Sequence, residues 1–305
     1  MREDLFQKTG LIIGRVAQDL LSKKIGDRID PIEVYVARYS VSRGTIQNAL
    51  GFLKDNKAIK LWYRGHLGTF IEDINYMILQ QFSFKINLVG IMPLPYSKLY
   101  EGLATALYTA LKDCSLNFNL AYVRGSESRI ELVMNHVHDF AICSRHAAEQ
   151  SKKNGYPIKI VLGFGECSYL SKHVLIFKDK GKEKIQSGMR VGIDLNSFDQ
   201  KDLTHLLTSE IDVEYVNIHS HQAISSVMEG SIDVSVWNLD EILEKRYNEL
   251  NVVEIDESTS EFSEAVIVIR EDDISVEKLL LKHIEIANVC EIQKKVQKGY
   301  LVPSY

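Results

Sequence analysis

Residues 36–73 read VARYSVSRGTIQNALGFLKDNKAIKLWYRGHLGTFIED, and two changes of rhythm inside this stretch decide its fold. After Ser42, a residue type suited to capping a helix N-terminus, Ile46, Ala49, Leu50 and Leu53 recur at helical spacing. Arg43, Thr45, Gln47 and Asn48 are left on the open side of that helix. From Ile59 the pattern changes to Ile59-Lys60-Leu61-Trp62-Tyr63, a turn at Arg64-Gly65-His66-Leu67-Gly68, and Thr69-Phe70-Ile71. This reads as a hairpin with glycines where positive φ is required. Working back toward the N-terminus, Ile12, Ile13, Val16, Ala17, Leu20 and Leu21 predict a helix stopped near Gly26. Pro31 opens a second helix, ending near Tyr39-Ser40, with Val34, Tyr35 and Tyr39 expected to face inward. Helix, helix-turn-helix and β-wing in this order define a winged helix over residues 1–73.

Charge marks the same segment. Residues 1–75 hold 12 basic and 9 acidic side chains, whereas the remaining chain holds 24 and 32. Between Arg38 and His66 the bases Arg38, Arg43, Lys54, Lys57, Lys60 and Arg64 meet one acid, Asp55. A basic patch on an otherwise acidic chain suits a polyanion. The expected partner is double-stranded DNA, with Arg43, Gln47 and Asn48 suited to base edges and Lys60 and Arg64 to phosphate.

Gly26-Asp27-Arg28, Val41-Ser42-Arg43, Ala49-Leu50 with Leu53, and Arg64 to Phe70 resemble, without a gap, the DNA-binding domain of GntR-type bacterial transcription regulators. The resemblance implies DNA contacts by Arg43, Thr45, Gln47, Gly65 and His66. Two positions depart from the family. Pro31-Ile32-Glu33 stands where a Ser-Glu-Arg stretch opens the second helix, so an acid replaces a phosphate-contacting Arg, and Gln47 stands where the recognition helix carries Arg. A symmetric homodimer is expected, because one winged helix covers few base pairs.

Residues 74–85, INYMILQQFSFK, lack Gly and Pro and read as a strand-like linker, suited to pairing with a second chain. Beyond it, over 86–305, strands and helices alternate twice. The first run is strand Ile86 to Ile91, helix Ser97 to Lys112, strand Leu116 to Val123, helix Ser126 to Asn135, strand Phe140 to Ser144 and the run Ile158 to Gly165. After Val174 to Phe177 the pattern restarts at Val191 to Asp194, with helix Asp199 to Thr208, strand Val213 to Val216, helix Gln222 to Glu229 and strand Val234 to Trp237. This alternation predicts parallel sheets with crossover helices. Glu131 to Asn135 leading to Asp139-Phe140-Ala141-Ile142 is echoed by Ser226 to Gly230 leading to Asp233-Val234-Ser235-Val236. The cadence resembles the two-lobed, periplasmic-binding-protein-like (type II) effector domains of LysR-type regulators and solute-binding proteins. Lobe one would span about 86–170 and 262–305, with a return strand Phe262 to Ile269 and one closing helix Ser275 to Lys298; lobe two would span about 178–258. The fold class is thus α/β overall, a winged helix-turn-helix followed by a two-lobed α/β body. Together, head and body resemble a GntR-type regulator with its own kind of C-terminal domain, unlike the usual all-helical or chorismate-lyase-like bodies.

In such a body the ligand sits between the lobes, at strand C-termini and helix N-termini where amides favour anions. The candidates are Tyr96 and Ser97, Arg124, Ser126, Ser128 and Arg129, and Ser144, Arg145 and His146 in lobe one. In lobe two they are Asn196 and Ser197, His219, Ser220 and His221, and Asn238. Arg145 is the favoured clamp for a carboxylate or phosphate; Ser97 and Ser126 also fit simple helix caps, and Trp237 reads as core. The expected effector is a small anionic metabolite.

Nothing in the sequence calls for catalysis, metal or cofactor. GxSxG, P-loop, HExxH and dinucleotide-fingerprint patterns do not occur, and Cys114, Cys143, Cys167 and Cys290 lie too far apart for CxxC spacing. Without a membrane-length apolar run or a secretory signal, the expected location is cytoplasmic. The alternatives are a DNA-tethered enzyme and a body used only for dimerisation. An open interlobe cleft lined by polar groups, as against one filled by side chains, discriminates between sensing and dimerisation.

Overall fold

The computed structural model describes residues 8–83, 87–112, 114, 117–255 and 260–305. The proposed strand starts Ile86 and Leu116 and the linker residues Phe84 and Lys85 lie outside them. The chain separates into two compact units, one holding residues up to Leu88 with 113–118 and Glu271–His283, the other holding the rest.

In the first unit α1 (Lys8–Leu20), α2 (Ile32–Tyr39) and α3 (Arg43–Asp55) precede the hairpin β1 (Ile59–Tyr63) and β2 (Thr69–Ile74). Ile12, Val16 and Leu20 of α1, Tyr35 of α2, and Ile46, Ala49 and Leu53 of α3 form its core with Ile59 and Ile71 of the hairpin. Each large apolar side chain so buried contributes about 1.5–3 kcal/mol. Ser42 caps α3, its hydroxyl accepting from Thr45 N at 3.2 Å. Pro31 sits one residue before α2 rather than inside it, and Ser40 ends the helix at φ 52°. Val34 turns outward while Tyr35 is fully buried. One turn of a helix carries only one inward stripe, and Tyr35 occupies it. In the wing Trp62 pairs with Phe70 and Tyr63 with Thr69, and Arg28 adds a bridge to Phe70. Gly68 adopts φ +99°, a conformation that strains any residue with a side chain, and a Cβ there would displace the Arg28 guanidinium, whose Nε lies 2.5 Å away.

The strand-like linker is corrected to a helix, α4 (Tyr76–Phe82). Asn75 caps it, accepting from Ile78 N at 3.2 Å. Leu79 is buried in the head core, with Tyr76, Ile78 and Phe82 packed around it, and the Tyr76 hydroxyl donates to Lys23 O at 2.6 Å. Burial at 76, 79 and 82 has helical period, which the uninterrupted apolar text disguised. The expected single closing helix is two, α11 (Ile274–His283) and α12 (Ile286–Gln297), and α11 packs on α4 within the first unit.

The body contains two five-stranded sheets. The first is built from β3 (Asn87–Met92), β4 (Asn117–Tyr122), β5 (Phe140–Ser144), β6 (Ile158–Gly163) and β12 (Ala265–Arg270), in the order β4-β3-β5-β12-β6. The second uses β7 (His173–Phe177), β8 (Arg190–Ile193), β9 (Glu214–Asn217), β10 (Val234–Asn238) and β11 (Asn251–Glu254), in the order β9-β8-β10-β7-β11. These orders are the same plan. Helices α5 (Lys98–Leu111), α6 (Ser126–Met134) and α7 (Arg145–Lys153) serve the first lobe, and α8 (Phe198–Thr208), α9 (Ala223–Glu229) and α10 (Leu239–Lys245) the second. The sheets are mixed rather than wholly parallel: β12 runs antiparallel to β5 and β6, and β7 antiparallel to β10 and β11. Both reversed strands follow a crossing of the chain from one lobe to the other, so they enter from the opposite end.

The repeated Asp has a physical role. Asp139 Oδ2 accepts from Val89 N and Asp233 Oδ2 from Arg190 N, both at 2.8 Å. In each lobe the residue before the third strand thereby ties down the start of the first.

Candidate functional site

A cavity of about 310 Å³ lies between the two lobes of the body. Its wall collects the ends of strands as expected: Pro93, Leu94 and Tyr96 after β3, Arg124, Gly125 and Ser126 after β4, Ser197 and Asp199 after β8, Ser220 and His221 after β9, and Trp237 and Asn238 at the end of β10. Gly125 has φ +75°, and a Cβ there would stand 2.8 Å from Asn196 O, so the two lobes meet backbone to backbone at this point. Ser126 Oγ accepts from Phe198 N at 3.2 Å across the same contact.

A row of aromatic rings runs along the wall. Trp237 stacks on Tyr96 with centroids 6.1 Å apart, Tyr96 meets Tyr100 edge-on at 5.1 Å, and Tyr100 meets Tyr169 at 5.2 Å. Burial raises all three phenols well above their ordinary range, Tyr169 to about 12, so they face the cavity as neutral hydroxyls. Arg129 is only 2 % exposed and braces lobe one: Nε donates to Ile142 O, Nη1 to Val123 O and Nη2 to the Tyr169 hydroxyl, each at 3.0 Å. Asp199 accepts from Ser144 Oγ at 2.6 Å. Burial raises its pKa, against the pull of His173, the Ser144 hydroxyl, His146 and Arg129. Glu241 accepts from Trp237 Nε1 at 3.1 Å and from Lys245 Nζ at 2.6 Å.

Of the sequence candidates, Tyr96, Arg124, Ser126, Arg129, Ser197, Ser220, His221 and Asn238 reach the cavity wall. Five do not. Ser97 is fully buried as the cap of α5, accepting from Tyr100 N at 3.3 Å. Ser144 caps α7 behind the wall. Arg145, the favoured clamp, is held in a two-pronged ion pair by Glu264, 119 residues away, with Nη2 to Oε1 at 2.9 Å. His219 caps the short turn Ser220–Gln222, and Asn196 gives its carbonyl to Glu127 N at 3.4 Å. Ser97, Ser144 and His219 are taken up as caps of the next helix or turn and Arg145 by Glu264, whereas Ser197 and Asn238 cap a helix and still border the cavity. His146, also off the wall, pairs with Asp202 at 2.8 Å. Sequence reading missed Tyr100, Tyr169, His173, Asp199, Gln200, Glu241 and Lys245; Trp237, read as core, is buried in the core of lobe two and also borders the cavity. The spacings Tyr96/Tyr100, Trp237/Glu241 and Glu241/Lys245, each of four residues, were the available signal.

On the first unit, Thr45 lies half-buried against the Ser42 hydroxyl, and Arg43, Gln47 and Asn48 are exposed on α3. Gly65 and His66 are exposed at the wing turn. A groove of about 450 Å³ runs between α2, α3 and the wing, lined by Glu33, Arg43, Gln47, Lys54, Tyr63 and Thr69. The basic patch is less positive than its sequence window implies. Arg38 pairs with Asp19 and Asp30, Arg43 with Glu33 at 2.7 Å and Lys60 with Glu72 at 2.7 Å, all acids lying outside the window. Arg64 lies over the Trp62 ring at 3.6 Å from its centroid and near Phe70 at 5.1 Å. Trp62 and Tyr63 are 50 % and 72 % exposed, so the wing offers aromatic as well as cationic surface.

Among the described residues no cluster of three or more metal-ligating side chains occurs, and no helix is long and apolar enough to cross a membrane.

The fold therefore defines a helix-turn-helix protein with a two-lobed, binding-protein-like C-terminal domain. A family model for a helix-turn-helix domain matches residues 24–71, and a model for the YhfZ C-terminal domain matches residues 75–305. The chain belongs to the YhfZ family. It is 31% identical to the YhfZ protein of Escherichia coli (strain K12) over 312 residues, covering 100% of each chain. The crystal structure of YhfZ from Shigella flexneri superposes with a TM-score of 0.62 at 31% identity, over 75% of this chain and 98% of that one. The periplasmic aliphatic sulphonate binding protein SsuA from Escherichia coli shares the body fold, with a TM-score of 0.53 at 10% identity over 70% of this chain and 75% of that one.

Proposed function

We propose that this chain is a GntR-type transcription regulator, cytoplasmic and acting as a homodimer, whose body senses a small anionic metabolite and adjusts DNA binding by the head. The observation that carries this reading is the cavity. It is open, lies where strands from both lobes end, and is carried on the same chain as a helix-turn-helix domain. A body used only for dimerisation has no need of an open cleft whose largely apolar wall carries polar side chains from both lobes. The enzyme alternative draws less support, since both wall carboxylates already accept hydrogen bonds, Asp199 from Ser144 and Glu241 from Trp237 and Lys245.

The head reads DNA by placing α3 in the major groove, where Arg43 suits guanine and Gln47 or Asn48 suits adenine. The Arg43–Glu33 pair keeps the guanidinium at the helix start until DNA replaces the carboxylate. Selection of bound duplexes from a random pool by the full chain tests the reading. The expected result is a two-fold symmetric site whose affinity falls steeply with salt; recovery of no preferred sequence overturns it.

A further inference from the structure

The donors and acceptors of the cavity are unbalanced, and the imbalance names the ligand group. Among the wall cations Arg129 is committed to two carbonyls and a phenol, and Lys245 to Glu241. Arg124 differs. It is exposed at the wall, and its hydrogen-bond partner is the ring of His221, 97 residues away on the other lobe, with Nη1 closest to Nδ1 and 2.9 Å from Nε2. Among the described residues no carboxylate makes an ion pair with it. A guanidinium carries five N–H donors, so most of them stay available. A second donor lies at the same wall: Asn238 is 4 % exposed, its Oδ1 accepts from Asp240 N at 2.7 Å, and its Nδ2, which makes no full hydrogen bond among the described residues, is directed toward the Tyr96 hydroxyl. The cavity thus lacks an acceptor for donors from both lobes.

We propose that Arg124 and His221, one from each lobe, together seat an oxyanion group of the effector, and that His221 takes up a proton when they do so. This rests on the reading of the interlobe cavity as the effector site. The charged and titratable groups facing His221 are Arg124, the His219 ring at 5.9 Å in parallel, and Asp194. Asp194 already accepts from Ser220 N at 2.8 Å, from the Ser220 hydroxyl and from Asn196 N at 3.0 Å. Burial first, then Arg124 and His219, hold the imidazole below its ordinary pKa, with Asp194 opposing them. The ring is therefore a neutral acceptor for Arg124 in the free protein. An oxyanion between them reverses the sign of the local field, the ring gains a proton, and guanidinium and imidazolium both donate to the ligand. The bound-state pKa exceeds the free-state pKa, so affinity rises as pH falls between the two values and is level below the free-state value. The gain is about tenfold for each unit separating them.

The chain has two tryptophans, Trp62 and Trp237. In the full chain carrying Trp62→Phe, Trp237 fluorescence reports on the cavity wall. Acetate and sulfate, whose charges change little over this range, are titrated at pH 5.5 and pH 8 with chloride held constant, inorganic phosphate at pH 8 alone, beside uncharged succinamide. The expected result is a saturable response to at least one oxyanion, about tenfold tighter at the lower pH. Arg124→Gln should abolish it, Arg124→Lys should weaken it, and His221→Asn should weaken it at pH 5.5 to the level found at pH 8, removing the pH dependence. Circular dichroism and Tm of the variants confirm folding. Oxyanion binding unchanged in Arg124→Gln, a pH ratio that persists in His221→Asn, or no saturable response to any oxyanion overturns the proposal. If succinamide alone responds, the cavity remains a ligand site and only the Arg124–His221 seat falls. If no probe responds and none raises Tm, the reading of the cavity falls with it.

Discussion

The head and the body of this chain place their polar groups in opposite ways. On the head, Arg43, Gln47 and Asn48 stand exposed along one helix face, and the ion pairs that hold Arg43 and Lys60 are open to water. Such pairs are worth about 0–1 kcal/mol and exchange readily for phosphate or base edges. In the body Arg129, Asp199 and Glu241 are buried and bonded to fixed partners, while Arg124 and Asn238 keep donors to spare. A surface that meets a large, uniformly charged partner needs exchangeable charge. A cavity that selects a small molecule needs most of its polar groups immobilised, so that the few left over define the ligand.

The sharpest way to break this contrast is to remove a brace. Arg129→Met removes the Arg129 hydrogen bonds to the Ile142 and Val123 carbonyls and takes a positive charge away from buried Asp199. The expected loss in urea denaturation is about 3–5 kcal/mol, with the isolated DNA-contacting face unaltered. A loss below that of an exposed ion pair would mean that Arg129 is not a brace. On the head, Arg43→Ala should cost about 1–3 kcal/mol in affinity for the selected duplex and relax the preference at one position per half-site, measured by fluorescence anisotropy.

Much of the head was legible because its residues are neighbours in sequence. The stripe Ile46, Ala49, Leu50 and Leu53 fixes the α3 register and with it the outward face, and Ser42 marks its start. The body was legible as a plan and less so as a site. Strand ends are local, and Arg124, Ser126 and Asn238, read from them, lie on the cavity wall. The fate of Arg145 depended on Glu264, far along the chain, and no periodicity announces a partner at that distance. Tyr169 and Trp237 join the aromatic row only because the crossing segment and β10 bring them together. The α4 helix was hidden for a related reason: apolar residues on both helical and strand periods fit INYMILQQ, and packing on the head core decides between them.

Smaller effects sharpen the contrast further. The Arg190 side chain holds the Asp233 carboxyl below its ordinary range, against burial, with further help from the Arg190 amide. A folded-state pKa below the unfolded value of about 3.9 contributes stability that is present above that pH and lost as pH falls through the folded value. Asp233→Asn should therefore make the acid limb of the stability curve shallower, by a modest amount because the pair is partly exposed. The smallest effect is expected from Glu33→Gln. Freeing Arg43 should raise affinity for unrelated duplexes by less than about 1 kcal/mol and steepen the salt dependence by roughly one phosphate contact. An unchanged salt slope would show that Glu33 does not compete with DNA for Arg43.

The coupling of the two units is the central claim, and operator affinity measured with and without a cavity ligand tests it most directly. A compound that raises the Tm of the full chain, and fails to do so in Trp237→Ala, serves as the ligand. Fluorescence anisotropy of the selected duplex should then show a change in Kd of about 5- to 150-fold, the range set by coupling energies of about 1–3 kcal/mol. The change should vanish in Trp237→Ala while ligand-free binding stays intact. An operator Kd that is the same at saturating ligand and without it would contradict the account.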